Sequence, residues 1–124
     1  MIFGLGVDIV QISRIDKALN RTPALAQRIL TVQEQLQLTQ TKDTGRFLAK
    51  RFAAKEAVVK ALGTGIAKGV GWQQIQIDKT PEGRPLVVLS GYAKTYADQL
   101  GIRAWHLSYS DEKEYVVATA IAES

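Results

Sequence analysis

The stretch Asp43-Thr44-Gly45-Arg46-Phe47-Leu48-Ala49-Lys50-Arg51-Phe52-Ala53-Ala54-Lys55-Glu56-Ala57-Val58-Val59-Lys60-Ala61-Leu62, closed by Gly63, is the longest helix that the chain predicts, with Gly63 as its left-handed cap. On a wheel of about 100° per residue, Arg46, Lys50, Glu56 and Lys60 share one arc, with Ala49, Ala53 and Ala57 between them. This face joins charge to small side chains, so something can approach the helix backbone closely there. It reads either as a solvated face carrying one Glu56–Lys60 pair, contributing about 0.2–0.5 kcal/mol, or as part of a site. The opposite arc holds Phe47, Leu48, Phe52, Val58, Val59 and Leu62, but Arg51 and Lys55 lie inside it. Cations in an apolar stripe need an outlet. Either their stems snorkel past the core edge, or that edge is a subunit interface where the charged ends meet an anion.

Upstream of this helix, residues 2–10 read as a short buried strand, with glycines at 4 and 6 suggesting close backbone approach. Ser13 offers an N-cap for a short helix through Leu19, Thr22-Pro23 restarts a second helical stretch to about Leu30, and Thr31 with Glu34 forms a capping box for a third through about Leu38. Downstream, after the glycine-rich segment 63–71, the pattern changes to period two. Trp72–Asp78 and Pro85–Leu89 make a hairpin around Pro81-Glu82-Gly83-Arg84. Ser90 caps a helix in which Tyr92, Ala93, Tyr96, Ala97 and Leu100 recur at helical spacing, ended by Gly101, and strands at Arg103–Ser110 and Glu114–Glu123 flank a turn at 111–113. Helices cluster early and strands late. The expectation is one α+β domain over residues 1–124, a largely antiparallel sheet packed with one long helix and several short helices.

Composition removes several classes of function. A chain of 124 residues suits a single domain. With no cysteine and one histidine it has no disulfide framework, thiolate metal site or cysteine nucleophile, and no multi-histidine site within one subunit. A metal, if present, sits on oxygen ligands. The apolar opening lacks a basic leader and is broken by Asp8, so it does not read as a signal peptide, and no run approaches the roughly 20 apolar residues that span a bilayer. The expected compartment is the cytoplasm, without a membrane partner. Charge is uneven: residues 1–62 carry ten basic and five acidic side chains, residues 63–124 six and seven. The first half therefore meets an anion.

Asp8 is a carboxylate inside an apolar strand, and a buried charge must be hydrogen-bonded, paired with a cation or bound to a metal. If it meets Glu56, the two make a hard oxygen site of the kind that holds Mg²⁺ beside substrate phosphates, and Lys60, one turn on, supplies a point charge for a phosphate. His106 shares a polar strand face with Ala104, Ser108 and Ser110; a lone histidine there is a structural hydrogen-bonder or a functional group. Gly63-Thr64-Gly65 lacks a phosphate-loop pattern. Arg14, Arg21 and Arg28 recur every seven residues and read as solubilising charge or as a patch for an acidic partner. An RNA-binding module would interleave aromatics with basic residues on one sheet face. Here most basic residues lie on the early helices while Trp105, Tyr109 and Tyr115 lie on late strands, which argues against a nucleic-acid partner.

Gly6-Val7-Asp8-Ile9-Val10 with Arg14-Ile15, the run Arg51-Phe52-Ala53-Ala54-Lys55-Glu56-Ala57-Val58-Val59-Lys60-Ala61-Leu62-Gly63-Thr64-Gly65, Gly83-Arg84-Pro85 and His106-Leu107-Ser108 together resemble the bacterial holo-acyl-carrier-protein synthases, the short class of phosphopantetheinyl transferases. The resemblance implies a homotrimer that binds CoA between subunits and transfers its phosphopantetheine arm to a serine of an apo-acyl-carrier protein, in support of fatty-acid biosynthesis, with adenosine bisphosphate leaving. By the family pattern Asp8 and Glu56 bind Mg²⁺ on the pyrophosphate and Lys60 contacts the phosphates. Arg51 reaches the ribose phosphate from a neighbouring subunit. Gly63, Gly65, Arg84, Pro85 and His106 belong to the CoA side, while Arg14 and Arg21, and by spacing Arg28, face the carrier protein. Glu56 is the preferred base for the serine proton and Asp111 a weaker one. Many family members carry a histidine shortly after His-x-Ser; this chain has Ser108-Tyr109-Ser110-Asp111 instead.

Overall fold

In the computed structural model, which describes residues 1–124, the chain runs through β1 (Ile2–Gln11), α1 (Ile12–Arg21), α2 (Leu25–Ile29), α3 (Val32–Leu38), α4 (Thr44–Leu62), a 3-10 turn at Trp72–Gln74, β2 (Ile75–Lys79), β3 (Pro85–Leu89), α5 (Gly91–Gln99), β4 (Ala104–Asp111) and β5 (Tyr115–Glu123). The α+β expectation holds and every strand pair is antiparallel. The strands divide into two sheets, however: three strands in the order β1-β5-β4 and the separate hairpin β2-β3.

Local chemistry accounts for most element ends. Thr31 Oγ1 accepts from the Glu34 N–H and Glu34 Oε1 accepts from the Thr31 N–H, the reciprocal capping box that starts α3. Asp43 caps α4 by accepting from the Arg46 N–H, and Gly63 ends it at φ +92°. Two expected boundaries shift. Gln11, not Ser13, precedes the first turn of α1, which follows β1 without a loop. The strand expected from Trp72 begins at Ile75, because Trp72–Gln74 close a 3-10 turn in which the Gln74 N–H donates to the Gly71 carbonyl.

Helix α4 is the centre of the molecule and has no solvated face over most of its length. Ala49, Ala53 and Ala57 are fully buried on the arc that the wheel left open to solvent, and Leu48, Val58, Val59 and Leu62 are buried on the other. What approaches the alanine arc is β1. A Cβ on Gly4 would lie 2.0 Å from the Ala61 carbonyl oxygen, and one on Gly6 2.0 Å from that of Ala57. Strand and helix run alongside each other in opposite directions. Two strand residues advance about 6.6 Å and four helix residues about 6.0 Å, so one glycine meets one helical carbonyl at each step.

Strand β1 is buried on one face only, which corrects the expectation of a buried strand. Gly4, Gly6, Asp8 and Val10 face α4, while Leu5, Val7 and Ile9 stand exposed on the outer face beside Val117 of β5. Alternation is hidden in the sequence because two of the inward positions are glycine and the outward ones are apolar, the reverse of a solvated sheet.

Gly6→Ala is expected to cost about 3 kcal/mol or more in urea unfolding, since backbone rather than a flexible side chain must move. Gly63→Ala has open space around it, and its left-handed φ limits the loss to about 1 kcal/mol.

Candidate active site

The glycine ladder places the next inward residue of β1, Asp8, beside the second half of α4. Its Oδ1 accepts from Lys60 Nζ at 3.0 Å, and the same ammonium donates to the Val7 carbonyl at 2.9 Å. The Glu56–Lys60 pair expected along the helix does not form; Lys60 turns to the strand instead. Glu56 is half-buried, and its carboxyl is held above the usual range, first by burial and then by the Asp8 charge, with the Trp72 indole and Lys60 acting in the opposite direction. Asp8 and Glu56 therefore face each other electrostatically. Asp8 Oδ2 is buried without a hydrogen-bond partner. A buried carboxylate oxygen that no protein donor satisfies, next to a second carboxylate that favours a proton, fits a hard divalent cation. No set of three or more acidic, His or Cys side chains gathers into a protein-only cage.

Lys55 needs neither of the outlets expected for it, whereas Arg51 faces a cavity. Lys55 is completely buried, and its three ammonium protons go to Glu34 Oε1 at 2.6 Å, the Ile29 carbonyl at 2.6 Å and the Trp72 carbonyl at 3.2 Å. Burial lowers its pKa against the pull of Glu34. Arg51 is 5% exposed; its guanidinium lies 4.6 Å from the Phe47 ring centre, with Nε 3.8 Å from Glu34 Oε2. It lines a cavity of about 510 Å³ between α3, α4 and the β2-β3 hairpin.

The other expected residues are dispersed. Gly63 and Gly65 keep left-handed backbone after α4. Arg84 is exposed at the hairpin turn, its N–H donating to Thr80 Oγ1, with Pro85 starting β3. His106 is exposed on the outer sheet face, 2.9 Å from Glu123 Oε1, with Asp8 on the inner face. Arg14 and Arg21 on α1 and Arg28 on α2 are exposed. Arg14 also lines a cavity of about 320 Å³ with Asp8, Ile9, Ile15 and Phe52. Asp111 is engaged by Arg46 at 2.8 Å and Lys50 at 3.3 Å. Burial raises its carboxyl, but the Arg46 hydrogen bond and the Lys50 and Arg46 charges outweigh that and leave it low, unsuited to accepting a proton. Two participants were invisible beforehand. Trp72 reads as a strand residue yet accepts from Lys55 through its carbonyl, while its indole N–H is buried without a hydrogen-bond partner, and Glu34 reads as a cap yet anchors Lys55.

The model of the 4′-phosphopantetheinyl transferase superfamily matches residues 4–120. The chain belongs to that superfamily, and within it to the holo-acyl-carrier-protein synthases. It is 54% identical over 124 residues to the holo-acyl-carrier-protein synthase of Vibrio vulnificus (strain YJ016), covering 99% of this chain and 98% of that one. Among solved structures, the synthase from Neisseria meningitidis superposes with a TM-score of 0.95 at 40% identity, covering all of both chains. The Helicobacter pylori synthase in complex with coenzyme A does so at 0.82 and 33% identity, over 96% of this chain and 99% of that one.

Asp111→Asn tests the pair at the start of α4. A carboxyl lowered by folding stabilises above its unfolded pKa, near 3.8, and loses that contribution as pH falls through the folded value. The variant is expected to unfold at lower urea than the parent at pH 7, and the two midpoints to converge as pH falls below the unfolded and then the lowered folded value.

Proposed function

We propose that this chain transfers the phosphopantetheine arm of CoA to a serine hydroxyl of an apo-acyl-carrier protein, at sites shared between three copies of itself. The convergence of Asp8, Glu56 and Lys60 on the sheet-facing edge of α4 carries this reading. The chemistry is displacement at the pantetheine-bearing phosphorus of the pyrophosphate. The serine Oγ–P bond forms, the P–O bond to adenosine bisphosphate breaks, and the serine proton passes to a base. Glu56 is that base: burial and the Asp8 charge raise its affinity for a proton. Lys60 stands where negative charge grows on the leaving phosphate. Asp8 and Glu56 would hold the Mg²⁺ that the family pattern implies, which when bound neutralises the pyrophosphate that repels the nucleophile. A proton and a divalent cation are favoured by the same two charges.

The carrier protein approaches α1. Arg14 borders both solvent and the cavity that reaches Asp8, so an acidic helix docked on Arg14, Arg21 and Arg28 would bring its serine to the carboxylates. On the CoA side, two observations favour assembly. Arg51 and Glu56 sit about 140° apart around α4, at 100° per residue, with a buried helix between them, so one CoA cannot reach both within a single chain. His106 is likewise on the outer sheet face, away from Asp8. Leu5, Val7, Ile9 and Val117 make that outer face apolar and exposed, the signature of an interface. Copies joined there set Arg51, Arg84, Pro85 and His106 of one chain against Asp8, Glu56, Lys60 and the Gly63–Gly65 turn of the next.

Mass spectrometry of an apo-carrier protein incubated with CoA, Mg²⁺ and the chain is expected to show the phosphopantetheine adduct, and chelation to abolish it. Asp8→Asn and Glu56→Gln are expected to fold and to lose at least ~10²-fold in turnover; full activity in either defeats the carboxylate assignment. Ile9→Arg is expected to sediment as a monomer and to lose transfer with it. An active monomer would refute the shared site.

A further inference from the structure

The buried cluster beneath Arg51 holds two cations and one carboxylate. Glu34 is fully buried and accepts three hydrogen bonds inside the protein: Oε1 from Lys55 Nζ and the Thr31 N–H, Oε2 from the Ile77 N–H at 2.9 Å. Lys55 has no donor left over, since Ile29 and Trp72 carbonyls take the remaining protons. Arg51 stands differently. Its Nε is buried without a hydrogen bond, and its terminal nitrogens make only long contacts, 3.5 Å to the Tyr109 hydroxyl and 3.4 Å to Gln37 Oε1. A guanidinium has five donors and a permanent charge. The geometry leaves that charge only loosely compensated, by a long ion pair of 3.8 Å from Nε to Glu34 Oε2, on the wall of the α3–α4–hairpin cavity, where Lys79 adds to it and Asp78 opposes it.

We propose that Lys55 is a specificity-positioning residue: by drawing Glu34 to itself through Oε1 at 2.6 Å it holds that carboxylate to a long ion pair with Arg51, so that the arginine remains free to select the phosphorylated ribose of CoA. The inference rests on the reading of Arg51 as the ribose-phosphate contact. Glu34 in turn supplies a fixed platform, with its Oε2 near enough to orient the Arg51 Nε edge and too far to bond it. Neither Lys55 nor Glu34 touches CoA. Their effect is on how much of the arginine's charge faces the cavity, and a Lys-to-neutral change at position 55 hands the carboxylate to Arg51 because a buried anion takes the cation within reach.

The test compares CoA with 3′-dephospho-CoA, which lacks only the phosphate that Arg51 is assigned to read. In Lys55→Met the ratio of kcat/KM for CoA over dephospho-CoA is expected to fall roughly tenfold, the size of one charge-assisted contact, through KM for CoA. In Glu34→Gln, which removes the competing carboxylate, the ratio is expected to hold or rise. Lys55→Gln replaces Lys55→Met if the latter does not fold, since it removes the same charge and retains a donor for Glu34. A folded Lys55 variant with the parent's ratio, even if less stable or slower on both substrates, overturns the proposal, because a purely structural role lowers both substrates alike. Arg51→Ala separates the two levels: if it leaves the ratio unchanged, the phosphate assignment of Arg51 has failed, and if it removes the ratio while Lys55 variants do not, only the positioning role has.

Discussion

The fold rests on backbone-to-backbone contact between β1 and α4. A strand that lies directly against a helix must have no side chains on the touching face, and Gly4 and Gly6 meet that demand against the carbonyls of Ala61 and Ala57. Because the rise of two strand residues nearly equals that of four helical ones, the contact also sets longitudinal register. It brings the first non-glycine inward position, Asp8, to Lys60 and Glu56. A bulkier strand would stand off the helix and separate the carboxylates by the width of a side chain. The two glycines thus serve the core and, through it, the geometry of the site.

The other side of α4 is held by a polar device. Glu34 ties the start of α3 to α4 through Lys55 and to β2 through the Ile77 N–H. A buried ion pair is a poor source of net stability, because desolvation offsets most of the attraction. Its value lies in direction: an apolar contact tolerates sliding, whereas three elements sharing one carboxylate have a single relative placement. The hairpin β2-β3 has no strand pairing with the main sheet, and this carboxylate is one of the bonds that seats it beside Arg51.

The sheet separates chemistry by face. Its inner side carries Asp8 and the alanines of β5; its outer side carries His106, Ser108 and Ser110 beside an apolar strip. The helix separates Arg51 from Glu56 in the same way. Arg51 and His106 thus lie on the far sides of buried layers from Asp8 and Glu56 within a single chain.

Much of this was legible in the residues themselves. The cap at Thr31-x-x-Glu34, the left-handed stop at Gly63 and the hairpin turn at Gly83 are local, so the sequence alone determines them, and the motif around Lys55-Glu56 was enough to indicate the family. What tertiary structure decided is what depends on which surface meets which. The alanine arc of α4 and an exposed helix face look alike until β1 is laid against one of them. Lys55 in an apolar stripe calls for an outlet until Glu34, 21 residues away, arrives from another element and removes the need. Helix spacing allowed Glu56 to pair with Lys60, but Asp8 offered the ammonium a carboxylate and the Val7 carbonyl beside it. Local patterns set dihedral angles and periodicity; long-range packing sets the partner of each charge, because desolvation depends on every element that closes around it.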